Sequence, residues 1–231
     1  MLIVAREILM KNSFLNKRFK NDSYFGLTSY LVMINAIIYL LVRFNVAIKG
    51  LPLSYYLALT PYCITKKLYL WQFVSYMFTH VNFWHFFCNM IVLLGFGYRL
   101  EKSIGSKEFL LYYMFTGIFS GLLTFCVWLI SGKLGYSLIG ASGCLFALMF
   151  LYAMLYPYDR VLMFYFIPMR VPFAVLFITA LELFFVLSPQ GGGNVAHATH
   201  LFGFVAAILY TSVRMRMKPF SFWFNLITGK K

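Results

Sequence analysis

Six long apolar stretches with few charged residues dominate this sequence and limit what it can fold into. They cover about residues 27–42, 80–98, 109–130, 138–156, 171–187 and 195–213. An α-helix needs roughly 20 mainly apolar residues to cross the hydrocarbon core of a bilayer. Charged residues make up only 11% of the chain, whereas soluble domains have about a quarter, so water cannot be the solvent for most of its surface. The sequence therefore predicts an all-α polytopic membrane protein, a bundle of six transmembrane helices.

The segment between the first two stretches, residues 45–78, has a different composition. It contains Pro52, Pro61, the pair Lys66-Lys67 and a group of aromatic residues, namely Tyr55, Tyr56, Tyr62, Tyr69 and Trp71. Trp and Tyr are enriched where a membrane meets water. We therefore expect a membrane-associated first loop, either interfacial or re-entrant. A later loop, residues 188–193, ends in three glycines and is expected to be the most flexible of the chain.

The distribution of Lys and Arg predicts how the six helices are oriented. If the N-terminus lies in the cytosol, fifteen of the 20 basic residues fall on cytosolic segments and five on outer segments. Cytosolic loops of membrane proteins normally carry such an excess of Lys and Arg, so this orientation is favoured. The chain then divides into a cytosolic N-terminal segment (1–26), which is not a good signal peptide, a membrane domain (27–213) and a basic cytosolic tail (214–231). We expect a multi-pass protein of a bacterial plasma membrane with both termini in the cytosol.

The net charge of +14 would suggest nucleic-acid binding in a soluble protein, but the sequence has no basic, aromatic-interleaved soluble segment. The charges fit topology signals and contacts with anionic lipid headgroups, so the lipid bilayer is the expected partner and nucleic acid is not. The four cysteines, Cys63, Cys88, Cys126 and Cys144, lack metal-binding spacing and are interpreted as small core residues. We expect neither a metal nor a cofactor.

Polar residues in three of the predicted helices lie at a common depth. His85 and Asn89 are four residues apart on the second stretch and so share one helical face; Ser142 opens the fourth and His200 lies on the sixth. In the predicted orientation these helices all begin at the outer face. Polar side chains within membrane helices are costly and indicate function by default, although each alone can be explained as hydrogen bonding between helices.

The chemistry of these residues favours peptide hydrolysis by a serine nucleophile. Serine needs a base within hydrogen-bonding distance, and the imidazole of His200 can supply it if Gly143 and Gly203 let the two helices approach closely. The N–H of Ser142, in the first turn of its helix, is a candidate donor to the oxyanion. Side-chain donors could come from His85 and Asn89. Because no Asp or Glu stands near, a Ser–His dyad fits better than a triad.

At these positions the sequence resembles the rhomboid family of intramembrane serine proteases, over about residues 27–213. Three motifs of that family occur in its order: H-x-x-x-N as His85-Phe86-Phe87-Cys88-Asn89, G-x-S-G as Gly140-Ala141-Ser142-Gly143, and H-x-x-G-x-x-x-G/A from His200 through Gly203 to Ala207. A fourth, G-x-x-x-E, is matched in part by Gly97-Tyr98-Arg99-Leu100-Glu101.

The resemblance implies Ser142 as nucleophile, His200 as base, and His85, Asn89 and the Ser142 amide as oxyanion donors. It implies a serine endopeptidase whose substrates are single-span membrane proteins, cleaved near the outer ends of their helices. The alternative is a catalytically inactive rhomboid-like protein that binds membrane clients; such proteins typically lack the serine or the histidine. A small transporter would need a deeper polar site and inverted repeats, and a zinc-dependent protease an H-E-x-x-H motif, none of which is seen.

Several residues fall outside this pattern. Gln72 follows Trp71 where many relatives carry Arg in the first loop. His197, one turn before His200, is interpreted as a neighbour of the base, and His80 as lining the water-accessible mouth of the site. Glu182 has no obvious partner and is expected to be neutral or bonded across helices.

The route by which a substrate reaches Ser142 from the lipid can also be predicted. We expect the fifth helix and its following loop to move, because Gly191-Gly192-Gly193 gives the backbone freedom. Phe184 and Phe185 are predicted to plug this route by packing against the second helix; the alternative is that they only face lipid.

Overall fold

The computed structural model describes residues 26–163, 166–188 and 194–229. The α-helices are α1 (Leu27–Arg43), α2 (Leu53–Leu57), α3 (Pro61–Lys67), α4 (Gln72–Ser75), α5 (Phe83–Ile104), α6 (Ser106–Ile130), α7 (Ser142–Leu155), α8 (Val171–Leu187), α9 (Asn194–Val213) and α10 (Pro219–Thr228). Two antiparallel hairpins are formed by β1 (Ala47–Ile48) with β2 (Leu51–Pro52), and by β3 (Arg160–Met163) with β4 (Ile167–Arg170). Residues 1–25 of the predicted N-terminal segment and the glycines at 191–193 lie outside the described residues.

The six predicted apolar stretches correspond to α1, α5, α6, α7, α8 and α9. Within the described ranges, α6 and α9 are long and apolar enough to cross a membrane, and Gln72–Phe78 together with α5, bent by 94°, forms a third candidate. The other three, α1, α7 and α8, are apolar helices of 17, 14 and 17 residues. The fold is mostly helical as predicted, and the count of six spans stays a prediction.

A buried carboxylate on α5 fixes the start of α1. Glu101 accepts hydrogen bonds from the backbone N–H groups of Leu27 and Thr28, at 2.7 and 2.9 Å, and from the Thr28 hydroxyl at 2.8 Å. These first-turn N–H groups have no partner within their own helix, and the helix dipole favours negative charge beside them. A Cβ at Gly97 would lie 2.8 Å from the Thr28 methyl group, so Gly97 and Glu101 together join α1 to α5.

Helix α7 lies at the centre of the bundle, in contact with α5, α6, α8 and α9. Eleven of its 14 residues are buried, which is typical of a helix that is apolar on every side. The Tyr112 hydroxyl of α6 donates a hydrogen bond to the backbone carbonyl of Ala147 at 2.6 Å. The start of α7 is therefore held by helices on all sides.

The first loop is stabilised by the side chains at 71 and 72. The Gln72 amide donates to the carbonyls of Tyr55 and Tyr56, at 3.1 and 3.3 Å, and accepts from the N–H of Thr60 at 3.1 Å. The Trp71 indole donates to the Tyr56 carbonyl at 2.9 Å. Gln72 thus supplies polar contacts within the first loop.

Two regions differ from the sequence prediction. Residues 160–163 pair with residues 167–170 as β3 and β4, and β1–β2 adds a second small sheet, so the mostly helical fold contains two short strand pairs that the prediction did not include. The basic tail contains α10, whose N1 proline, Pro219, suits a helix start. Before it, Arg214 pairs with Glu108 at 3.2 Å and ties the end of α9 to the start of α6.

Candidate active site

Ser142 is the first residue of α7, and the chain reaches it through a glycine in an unusual conformation. Gly140 has φ of +113°, a region that residues with a Cβ rarely adopt. A Cβ at Gly140 would also lie 2.7 Å from the His85 ring. The glycine therefore allows both the turn into α7 and the close approach of His85.

The structure brings Ser142 and His200 together. The Ser142 hydroxyl lies 2.8 Å from Nε2 of His200, within hydrogen-bonding distance. The His200 ring stacks on Phe146, with centroids 4.2 Å apart and planes 9° from parallel. Stacking of this kind limits rotation of the imidazole, so its Nε2 stays directed at the serine.

Two glycines make this approach possible. A Cβ added at Gly203 would lie 2.1 Å from the carbonyl oxygen of Gly143, well inside van der Waals contact. At Gly143, a Cβ would lie 2.6 Å from the Ser120 hydroxyl of α6. Small residues allow membrane helices to pack backbone against backbone. The predicted close approach of α7 and α9 is confirmed.

His85 and Asn89 lie on the other side of Ser142. Asn89 is buried and lines a cavity of about 150 Å³ between α5 and α7, whose lining residues are Cys88, Asn89, Val92, Ser142, Leu145, Phe146 and Met149. One Asn89 N–H donates to the carbonyl of His85 at 2.6 Å, and Asn82 caps the start of α5 by accepting from the His85 N–H at 2.9 Å. Ser142, His200, His85 and Asn89 are thus gathered at one end of the bundle.

The sequence predicted that His80 lines a water-accessible mouth of the site. The structure shows that this prediction is wrong. Its exposed fraction is 1%, and its ring packs edge-on against those of His85 and Phe86. Phe78 and Met77, just before it, are also in the core. His80 therefore supports the His85 ring from behind.

The expectation that no acidic residue stands near the base is wrong. Oε2 of Glu182 lies 3.1 Å from Nδ1 of His200, although the direction of approach is not that of a good hydrogen bond. The same oxygen lies 2.6 Å from Nδ1 of His197. The sequence predicted that Glu182 is either neutral or bonded across helices. The bond between Glu182 on the fifth apolar helix and His197 on the sixth agrees with the second of these alternatives. Sequence reasoning missed its contact with His200, although an acid within an apolar stretch was a signal of function.

The aromatic residues at this end of α8 are arranged differently from the prediction. The ring of Phe185 stacks on His197, with centroids 4.9 Å apart, and Phe184 packs edge-on against Phe185. Phe184 is 64% exposed. The sequence predicted that Phe184 and Phe185 pack against α5. In the structure, Phe185 instead joins α8 to α9.

These features define an integral membrane protein with a serine and a histidine hydrogen-bonded at one end of a helical bundle. A model of the rhomboid domain matches residues 67–217. The chain belongs to the rhomboid family, whose members are generally serine intramembrane proteases.

Several curated proteins are similar to it. Rhomboid protein 1, mitochondrial, of Saccharomyces cerevisiae is 30% identical over 186 residues, which cover 75% of this chain and 52% of the yeast protein. The putative rhomboid protease YdcA of Bacillus subtilis is 26% identical over 148 residues, 64% of this chain and 69% of that protein. Rhomboid-like protein 11, chloroplastic, of Arabidopsis thaliana is 36% identical over 90 residues, 36% of this chain and 31% of that protein. The chain therefore spans about half the length of the yeast relative. These relatives include mitochondrial, bacterial and chloroplast proteins, so a bacterial plasma membrane stays a prediction.

Proposed function

We propose that this protein is an active intramembrane serine endopeptidase, with Ser142 as nucleophile and His200 as general base. The observation that carries the proposal is the distance of 2.8 Å between the Ser142 hydroxyl and Nε2 of His200. A nucleophile and a base within hydrogen-bonding reach, with the base held in place by further contacts, are the signature of serine hydrolysis. Phe146 stacks on the base.

Each step of the reaction has a residue to carry it. The Ser142 oxygen attacks the carbonyl carbon of the scissile peptide bond while its proton passes to Nε2 of His200. That proton then goes to the leaving amine, and an acyl-enzyme remains on Ser142. Water attacks the acyl carbon with His200 again accepting the proton, and the return of that proton to Ser142 releases the new carboxylate.

The negative charge on the carbonyl oxygen is stabilised by donors around Ser142. The first turn of α7 directs free N–H groups and the positive end of the helix dipole to this point. Asn89 lines the cavity beside Ser142 and the His85 ring lies against Gly140, so we infer that both side chains supply further donors from α5. One well-placed donor contributes about 2.7–4 kcal/mol to such a step.

The proposed substrates are single-span membrane proteins, cleaved near the outer ends of their helices. The small cavity beside Ser142 and Asn89 is lined mainly by apolar residues, which suits a substrate residue that enters from lipid. With both termini in the cytosol, as the basic residues predict, the end of the bundle that holds Ser142 faces outward. Water, which hydrolysis requires, is close at such a shallow depth.

A catalytically inactive, client-binding rhomboid-like protein is the second candidate. Proteins of that kind typically lack the serine or the histidine, whereas both are present here and hydrogen-bonded. The two candidates make opposite predictions for covalent reactivity. An inactive client-binding protein would leave Ser142 unreactive, and a protease would acylate it.

The test uses the full-length chain purified in detergent and reconstituted in liposomes with a generic single-span substrate. We expect cleavage by the wild type, none by Ser142→Ala, and labelling of Ser142 by a fluorophosphonate. Co-purification of an intact substrate without cleavage or labelling would favour the client-binding protein.

A further inference from the structure

Three side chains that commonly bind metals converge beside the proposed base. Glu182 on α8 and His197 and His200 on α9 each direct one ligand atom to a common point, and these atoms all lie within 4.8 Å of one another. Oε2 of Glu182 lies 2.6 Å from Nδ1 of His197 and 3.1 Å from Nδ1 of His200. The proposed reaction uses the other nitrogen of His200, Nε2, so this point is a different place on the same ring.

The spacing of the ligands along the helices is that of a metal site in a helical bundle. His197 and His200 are three residues apart, so their rings project from the same side of α9. A carboxylate from a neighbouring helix completes a set that helical bundles use to hold divalent metals. Two imidazoles and one carboxylate form the protein ligand set of several zinc sites that leave a fourth position open.

The distances require only small movements to accommodate an ion. Zinc lies about 2.0–2.2 Å from nitrogen and carboxylate ligands, so two ligand atoms of a tetrahedral ion are about 3.3 Å apart. The present separations of 2.6 and 3.1 Å would have to open to this value, and the histidine ligand atoms, which lie within 4.8 Å of each other, would have to settle at it. The contact between Glu182 and His197 would be replaced by bonds to the metal.

Burial and stacking also suit a bound ion. The side chains of Glu182, His197 and His200 are 12%, 29% and 18% exposed, so the site is enclosed but leaves one side for a water ligand. Phe185 stacks on His197 and Phe146 stacks on His200. The two rings therefore keep their orientation when the site is empty, which lowers the entropic cost of binding.

We propose that Glu182, His197 and His200 form a binding site for a first-row divalent cation, with Zn²⁺ as the best fit, and that the bound ion inhibits the protease. Imidazole favours zinc and similar ions over Mg²⁺ and Ca²⁺. The inhibitory part rests on the proposed function. A neutral imidazole has one N–H, so a dication on Nδ1 of His200 leaves that proton on Nε2, which can then donate to Ser142 but cannot take its proton. The base is therefore lost while the ion is bound.

The binding test uses full-length Ser142→Ala protein, so that it does not depend on any enzymatic activity. Zn²⁺ is titrated into metal-free protein in detergent against a chromophoric chelator, and Co²⁺ is used as a spectroscopic probe. We expect one ion per chain, with the visible bands of four-coordinate Co²⁺. His197→Ala and Glu182→Gln, each added to Ser142→Ala, should weaken binding by on the order of 10- to 100-fold or more. The matched control is His85→Ala, which removes a histidine on the other side of Ser142 and should leave the affinity unchanged.

The inhibition test uses the wild type and the single variant His197→Ala, both with a membrane-embedded substrate. Zn²⁺ should inhibit the wild type, a chelator should restore it, and Mg²⁺ at the same concentration should have no effect. The cleavage rate of His197→Ala with Zn²⁺, divided by the rate of the same protein with chelator, should stay close to one, whereas this ratio should fall in the wild type. The proposal would be overturned if His197→Ala and Glu182→Gln bound zinc as tightly as the Ser142→Ala protein that carries neither change. It would also be overturned if Zn²⁺ inhibited His197→Ala as strongly as the wild type. Specific binding to a protein without proteolysis would instead support the site and refute the proposed activity.

Discussion

The neighbouring helices α7 and α8 are both apolar on all sides, yet the bundle surrounds one and leaves the other at its edge. Eleven of the 14 residues of α7 are buried, against five of the 17 residues of α8. Four of the five lie in the first five residues of α8, far from Ser142, and the fifth is Glu182. Hydrophobicity alone does not separate the two helices. One residue that separates them is Gly143 of α7, which lets α6 and α9 approach closely.

Because of this difference in burial, we expect the two helices to have different roles. The proposed nucleophile, Ser142, lies at the start of α7, and contacts of that helix with its neighbours hold it in position for attack. The half of α8 near Ser142 is exposed at Leu183, Phe184, Phe185 and Leu187, and contacts of Glu182 and Phe185 join it to α9. A segment with few buried contacts moves at low cost. We therefore expect chemistry to depend on α7 and α9, and access of substrate to depend on α8.

The largest effects should come from the two residues that react. Ser142→Ala should lose activity by on the order of 10⁶-fold, which means no detectable cleavage. His200→Ala should be similarly inactive and should no longer be labelled at Ser142 by a fluorophosphonate, because the base is missing. Ser142→Ala should unfold near the wild-type temperature, since its small side chain contributes little to packing. Full labelling of His200→Ala would show that His200 is not the base.

Substitution of the proposed oxyanion donors should have the next largest effect. Asn89→Ala and His85→Ala should each lower kcat by about 10²- to 10³-fold, the usual result of removing one donor. The matched control is Cys88→Ala, which changes another residue that lines the cavity without removing a strong donor. Turnover equal to the wild type in Asn89→Ala and His85→Ala would remove these residues from the mechanism.

The close contact between α7 and α9 can be tested through stability. A Cβ in Gly203→Ala would overlap the Gly143 carbonyl oxygen, so the helices must separate at a cost of about 1–3 kcal/mol. The distance between Ser142 and His200 then increases, and activity should fall together with the unfolding temperature in detergent. Gly95→Ala is the control, since no atom outside its helix lies within 4 Å of the added Cβ. A Gly203→Ala protein as stable and active as Gly95→Ala would show that the two backbones need not touch.

Much of this architecture could be predicted from the sequence, because it follows from the solvent. Lipid requires long apolar helices, so their positions along the chain were visible from composition, and costly polar residues within them marked Ser142, His200, His85 and Asn89. The motifs then gave each of these residues an expected role. The close approach of Gly143 and Gly203 followed from the same glycine spacing.

The remaining features depend on how helices rotate and pack, which composition does not encode. Helix α8 is apolar all round, so nothing in its sequence shows that Glu182 turns toward α9 and His200. Burial of His80 depends on how the chain bends by 94° before α5. The β3–β4 hairpin was not predicted. Its short apolar run, which contains Pro168, resembles an interrupted piece of membrane helix in the sequence.

The smallest expected effect, and the one that most directly tests the role of α8, concerns Phe184 and Phe185. Replacing both with Ala removes the stacking of Phe185 on His197 and reduces the bulk at the end of α8 near Ser142, so this end should move away from α9 more readily. Cleavage of membrane-embedded substrates should then rise severalfold, because opening of a gating segment limits turnover, while fluorophosphonate labelling of Ser142 stays unchanged. The matched control is Phe173→Ala, at the other end of the same helix, which is exposed to a similar degree as Phe185 and should have no effect.

A reducible disulfide between the Ser142 ends of α5 and α8, in a background with Cys88→Ala, should block cleavage until it is reduced. Normal cleavage of embedded substrates by the cross-linked protein would show that α8 is as fixed as α7 during the reaction, and substrate would then have to enter elsewhere.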